Sequence, residues 1–291
     1  MPLFPYFGGK SSVSEMVWAR LGKPKQYIEP FCGSAAMLLA APTPAPLEVI
    51  GDANGFVANF WRAVKNQPRA VSAAADYPVS HVDIYARHRW LMEQRQRVAD
   101  SLQDPNWPGD AQVAGWWLHG QCNWIGSGWC NWDGTIKKAA VDNGQVPRLT
   151  SAGQGVLSIK KHARALDTLT TVSERLKHVR VIHGSWDRCL NHTYGASNTA
   201  VFLDPPYLGY EDLYNKGVGV ASSVAKWAAE HADLRVAICG HVGDYTLPGW
   251  DAVPWSRRGA TYNGDGTRHA ECIWFSPSCL PSAVSDSEKA A

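Results

Sequence analysis

The sequence predicts an α/β fold of about seven strands, interrupted by a mainly helical insertion and finished by an antiparallel hairpin. Three observations carry this. Short apolar runs alternate with segments of helical spacing from Gln26 to Lys65, the alternation stops between residues 76 and 164, and it resumes near Ala163 and runs to Ser276. The 291 residues accommodate one large α/β domain or one domain carrying a sizeable insertion.

Each element has its own reason. Gln26-Tyr27-Ile28-Glu29 reads as a short strand, Ser34 to Ala41 as a helix rich in Ala, Met and Leu, and Leu47 to Gly51 as a second strand ending at Asp52, a βαβ opening. Phe56 to Lys65 is helical, with Phe56, Phe60, Trp61 and Val64 at helical spacing. His81 to Leu102 is a helix carrying Arg87, Arg89, Arg95 and Arg97, and Asp110 to Trp124 is a second, more apolar one. Ile125-Gly126-Ser127-Gly128-Trp129 and the polar, glycine-rich stretch to Gly155 read as a long loop. Beyond it, Ala165 to Leu176 and Val224 to His231 are helices, while Val179 to Ile182, Ala200 to Leu203 and Arg235 to Cys239 are strands. Trp250 to Trp255 and Glu271 to Ser276 make the closing hairpin, and residues 281–291, small and polar, read as a disordered tail.

Composition narrows the setting. Hydrophobic residues at 45% and charged residues at 19% describe a globular protein with enough apolar surface for a core, and no stretch is long enough to span a bilayer. The segment Met1 to Tyr6 lacks the basic and apolar parts of a secretory signal, so a cytoplasmic protein is expected. Seven cysteines at irregular spacing point to reduced thiols. A net charge of +2 permits nucleic-acid binding through a local patch without announcing it.

Asp204-Pro205-Pro206-Tyr207 carries the most chemistry. It follows the apolar run Ala200-Val201-Phe202-Leu203, so a buried strand ends at a carboxylate, a rigid turn and an aromatic face, all aimed into one crevice. A planar base bearing an amino group suits that corner. The carboxylate and a proline carbonyl each accept one N–H, and the Tyr207 ring stacks on the heterocycle. The first strand runs through Glu29-Pro30-Phe31-Cys32-Gly33-Ser34-Ala35, a small-residue turn that lets a ligand approach the backbone and leaves a helix amino terminus uncovered. It has neither the GxGxxG spacing of a dinucleotide site nor the ending of a P-loop, and a packing turn is the plain alternative. Asp52, ending the second strand of the βαβ unit, is placed to accept both hydroxyls of a ribose, which makes an adenosine-containing ligand the natural candidate. His119, Cys122 and Cys130 lack a CxxC pair and a fourth ligand, so no metal site is expected.

With these motifs in order, the chain resembles the Dam-like DNA adenine N6-methyltransferases, the D12 class of the alpha group. Phe4-Pro5-Tyr6-Phe7-Gly8-Gly9-Lys10 is similar to the family's amino-terminal Gly-Gly-Lys segment, Glu29 to Ala36 to its cofactor loop, Asp52-Ala53-Asn54 to its ribose-binding acid, and Asp204 to Tyr207 to its catalytic tetrapeptide. Gly184-Ser185-Trp186-Asp187 falls where the family has an acid contacting the cofactor's adenine. The resemblance implies a Rossmann-like methyltransferase sheet and S-adenosylmethionine as methyl donor. It also implies that donor groups near Gly8, Gly9 and Lys10 meet the methionine carboxylate, that Asp187 meets the adenine edge, and that Asp204 lies against both cofactor and target. It divides the chain into a discontinuous catalytic domain, residues 1–75 and 165–280, and an inserted target-recognition domain, residues 76–164.

Methyl transfer to an aromatic amine depends on positioning and charge arrangement, with no covalent nucleophile. A base inside a duplex cannot reach such a corner, so the target adenine must be flipped out of double-stranded DNA. The insertion is the expected grip. It holds seven of the 14 tryptophans, and its basic residues cluster at Arg87 to Arg97 and at Lys160-Lys161-His162-Arg164. Trp116 and Trp117, on an apolar helix, read as core. DNA contacts are expected at Arg87, Arg89, Asn123, Trp124, Gly126, Ser127, Trp129, Lys137 and Lys160, with Arg257 and Arg258 adding phosphate contacts. Two other readings stay open: an amino-methyltransferase acting on cytosine N4, RNA or a protein amide, and a relative that binds DNA without turnover.

Overall fold

The computed structural model of the chain describes residues 3–6, 8–125, 129–130, 149–150, 152–190, 198–207, 219–255 and 270–281. Chain order among them is α1 (Ser14–Leu21), β1 (Gln26–Glu29), α2 (Ala36–Leu39), β2 (Leu47–Asp52), α3 (Gly55–Asn66), α4 (Pro68–Ala75), α5 (His81–Ser101) and α6 (Ala111–Asn123). There follow α7 (Ala165–Leu176), β3 (Val179–His183), β4 (Thr199–Leu203), α8 (Val220–Glu230), β5 (Arg235–His241), β6 (Asp251–Trp255) and β7 (Glu271–Phe275). All seven strands join one sheet in the order β3-β2-β1-β4-β5-β7-β6. β1 to β5 are parallel, and β7 is antiparallel to both β5 and β6. The α/β class, the seven strands and the closing hairpin agree with the sequence expectation.

Strand alternation splits the core into two layers. Tyr27, Ile50, Phe202, Ala237 and Ile273 face one side, where α1, α3, α4, α6 and α7 pack, while Ile28, Val49, Val201, Val236 and Ile238 face the other with α8. A parallel sheet covered on both faces has apolar strands throughout, and every residue of β4 is buried.

Three parts of the sequence reading need correction. Ser34 to Ala41 is helical only over Ala36–Leu39, because Ala35 is left-handed at φ 47° and Pro42 disfavours helical backbone at Ala41. A four-residue helix offers no amino-terminal anion site, so that part of the ligand argument lapses. Helices α1 and α4 were not anticipated. Pro68, which reads as a breaker, occupies the first turn of α4, where its missing N–H costs nothing.

The helices preceding and following residue 76 share one core. Phe4 packs edge-on against Phe60 at 5.1 Å and Trp117 at 5.0 Å, joining the amino-terminal segment, α3 and α6. Asp110 caps α6 through Val113 N–H at 2.9 Å and accepts from Arg97 of α5 at 2.7 Å. The seven cysteines are free, six of them buried. Among the described residues no helix is long and apolar enough to cross a membrane.

Candidate active site

The chain turns away in opposite directions from β1 and β4, which lie side by side, so a crevice opens beyond their carboxyl ends. Glu29 closes β1, Asp52 closes β2, and Asp204 follows β4 directly. The acids are at this rim because each ends a parallel strand.

The turn after β1 is held from three sides. Cys32 N–H donates to the Gly51 carbonyl at 2.8 Å, the Trp61 indole N–H to the Gly33 carbonyl at 2.8 Å, and Gly33 N–H to Asp52 Oδ2 at 3.0 Å. Gly33 has φ 44°, and a β-carbon there would sit 2.5 Å from the Tyr6 ring, so only glycine fits. Pro30, Cys32, Gly33, Ser34 and Ala35 are buried, while Phe31 is half-exposed and stacks with Trp186, ring centres 6.4 Å apart at 20°. Asp187 is exposed in the 3₁₀ turn after β3, and Gly184 N–H reaches the Asp52 carbonyl at 3.2 Å.

Asp52 is anchored without being used up. Oδ1 accepts Asn54 N–H at 2.8 Å and Oδ2 accepts Gly33 N–H, leaving each oxygen a second lone pair. Burial pushes its carboxyl up to about 6, against the pull of the Asn54 and Gly33 N–H groups. Glu29 behaves differently. Its Oε2 accepts the Tyr27 phenol at 3.1 Å and Leu38 N–H at 3.0 Å, and burial pushes it up to about 8. The sequence reading made it a ligand contact, whereas here that oxygen fastens α2 to β1.

Beyond β4, Lys10 Nζ lies 2.9 Å from Oδ1 and 2.9 Å from Oδ2 of Asp204, and donates to the Gly8 carbonyl at 2.6 Å. The same ammonium is 3.6 Å from Glu271 and 5.3 Å from the centre of the Tyr207 ring. Lys10 is 3% exposed. Burial alone would drive off its proton, but the Asp204 and Glu271 carboxylates outweigh that and hold it above the ordinary lysine range. Burial raises the Asp204 carboxyl and Lys10 opposes the rise. The segment from Tyr6 to Lys10 thus runs from the Gly33 turn to Asp204, joining both motifs along one rim. Lys10, expected near the cofactor carboxylate, pairs with Asp204.

Comparison with known families reaches the amino-terminal part of this rim. Residues 6–100 match the family model described as D12 class N6 adenine-specific DNA methyltransferase. No curated protein matches the chain. The family implies S-adenosylmethionine as donor and DNA as substrate. Its match takes in Tyr6 to Lys10, the Gly33 turn and Asp52, and stops short of Asp187 and Asp204 to Tyr207.

The predicted DNA contacts scatter over the structure. Arg89 and Lys160 are exposed. Arg87 is half-buried, its guanidinium 3.2 Å from the Tyr77 ring centre and 4.9 Å from that of Trp116. Trp124 is half-buried and stacks on His88 at 5.7 Å. Asn123 and Trp129 need correction. Asn123 is 3% exposed with its amide donating to the His119 carbonyl, and Trp129 is 7% exposed with its indole N–H on the Trp117 carbonyl at 3.0 Å. A β-carbon on Gly120 would meet the Trp129 ring at 1.9 Å, so that glycine makes the slot into which the tryptophan folds. Phe7, Gly126, Ser127, Lys137, Arg257, Arg258 and residues 282–291 lie outside the described residues. Sequence reasoning missed Glu271, which opens β7, and His241, which ends β5 with its ring 4.7 Å from that of Tyr207.

Proposed function

We propose that this protein transfers a methyl group from S-adenosylmethionine to N6 of an adenine flipped out of double-stranded DNA, at a defined sequence, in the cytoplasm. The carrying observation is the Asp204 carboxylate beyond β4, bonded to an ammonium and beside the Tyr207 ring. It supports a corner that binds an amino group under an aromatic face.

The residues present fit the cofactor. Asp52 retains lone pairs for ribose hydroxyls, and Phe31 with Trp186 offers near-parallel apolar faces beside Asp187. When bound, S-adenosylmethionine supplies an electrophilic methyl group. Asp52 would hold the ribose, Asp187 the adenine edge, and the Gly8-Gly9 backbone the methionine carboxylate. Asp204 and the Pro205 carbonyl accept the two N6 hydrogens, which draws the nitrogen lone pair out of conjugation, while Pro206 stiffens the turn and Tyr207 stacks on the base. The nitrogen loses its proton after attack, when it is cationic and strongly acidic, so no tuned general base is required. Residues 1–75 and 165–280 form the catalytic part in this reading. Residues 76–164 read the DNA, with Arg89 and Lys160 as exposed phosphate contacts.

Incubation with labelled S-adenosylmethionine and DNA, followed by digestion to nucleosides, should yield N6-methyladenine at a fixed sequence. N4-methylcytosine, or label entering only RNA or protein, would replace the acceptor. DNA binding without transfer would make the protein an inactive relative. Cofactor affinity should also follow Asp52. Hydroxyl donors need its ionised form, so lowering pH through about 6 weakens binding. Between about pH 7 and about pH 5 the fall is roughly tenfold. Asp52→Asn should weaken binding and flatten that slope, as calorimetry at several pH values would reveal.

A further inference from the structure

Glu271 belongs to this site for a topological reason. β7 runs antiparallel to β5, so its first residue lies beside the last residue of β5, and Glu271 pairs in register with His241. The other acids at the rim end parallel strands, whereas this one begins a reversed strand. Its Oε2 accepts the Tyr207 phenol at 2.9 Å and lies 3.6 Å from Lys10 Nζ.

In the free protein both oxygens of Asp204 are committed to the Lys10 ammonium. That is the position at which the proposed reaction holds the target amino group; each oxygen keeps a second lone pair, but an N6–H bonded there competes with the ammonium for the carboxylate charge and loosens that pair. The loosened ammonium cannot reach water easily at 3% exposure, and a buried charge with a weakened partner is unfavourable. Glu271 is the other carboxylate within 4 Å of it among the described residues. The formal charges matter as well. Asp204, Glu271 and Lys10 together carry one surplus negative charge, facing a nitrogen that turns cationic as the methyl group arrives.

We propose that Glu271 is a positioning residue for methyl transfer: it fixes the Tyr207 ring through the phenol and receives the Lys10 ammonium as Asp204 engages the target amine. The proposal rests on the methyltransferase reading above. Its test compares wild type, Glu271→Gln, Glu271→Asp, Tyr207→Phe and the Gln/Phe double variant on a duplex containing the methylated sequence. Glu271→Gln should lower kcat roughly ten- to hundredfold, by loss of charge stabilisation. KM for S-adenosylmethionine should stay within about twofold, because Asp52 and the Gly33 turn are untouched. Glu271→Asp should recover part of the loss, and the double variant should lose less than the product of the single ones. Unchanged kcat, or a loss confined to KM, overturns the proposal.

A second measurement needs no turnover. With ¹³Cε-labelled lysine, NMR titration should show Lys10 losing its proton at lower pH in Glu271→Gln than in wild type, because one neighbouring carboxylate is gone. Identical titration overturns the ammonium-receiving role. If wild type methylates no DNA, the functional reading fails, while this titration still decides whether Glu271 holds Lys10. Should Glu271→Gln not fold, Glu271→Asp carries both measurements, with a smaller shift and a smaller loss expected.

Discussion

Asp204→Asn is expected to lower methyl transfer roughly a thousandfold while cofactor affinity changes only a few-fold. Asparagine keeps the shape and one acceptor oxygen. It removes the charge that faces the nitrogen as it becomes cationic, and its amide offers N–H donors where acceptors are needed. A thousandfold loss corresponds to about 4 kcal/mol of transition-state stabilisation. Cofactor binding is spared because Asp52 and the Gly33 turn are held by their own bonds to Asn54, Gly51 and Trp61. Asp204→Ala should abolish transfer as well but adds a folding cost, since Lys10, 3% exposed, is left with Glu271 at 3.6 Å as its remaining carboxylate. Initial rates on duplex DNA and calorimetry with the cofactor separate the two effects, and turnover that survives in Asp204→Asn removes the mechanism.

Glu48→Ala is expected to cost about 3–5 kcal/mol of folding stability, the range for breaking a buried ion pair. Glu48 is 3% exposed and grips Arg175 with both oxygens, at 2.5 and 2.7 Å. The same guanidinium donates to the Leu38 carbonyl at 3.1 Å, so one pair ties β2 to α7 and to the end of α2. Removing the carboxylate leaves a half-buried guanidinium without its countercharge. Urea denaturation should show a lower midpoint with an unchanged slope. A loss under about 1 kcal/mol would mean that the pair behaves like an exposed one.

Much of the scaffold was readable because local signals coincide with tertiary roles. β1 and α7 have the predicted bounds, and the rim acids Asp52 and Asp204 could be found by asking which carboxylates follow apolar runs. That rule looks at the ends of strands. It overlooks Glu271, which stands at the beginning of one and reaches the rim only because β7 is reversed, a pairing that periodicity does not encode. Trp129 and Asn123 were misjudged for a related reason. Glycines flanking a tryptophan look like a loop open to a ligand, but the slot that buries Trp129 is made by Gly120, nine residues earlier on α6. Lys10 was expected near the methionine carboxylate, and its ammonium is bonded to a carboxylate 194 positions away, a pairing that local sequence does not reveal.

The aromatic contacts among Phe4, Phe60 and Trp117 bear on how such a protein could acquire a new target sequence. Because α6 shares its packing partners with the amino-terminal segment and with α3, replacing residues 76–164 by the equivalent stretch of a relative would expose or crowd rings that pack beneath the sheet. Grafts of that kind should arrive poorly folded unless their borders are redrawn to bring Phe4 and Phe60 along. Under the proposed function, change confined to exposed positions such as Arg89 and Lys160 avoids that penalty, which makes the exposed surface of residues 76–164 the easier ground for new specificity.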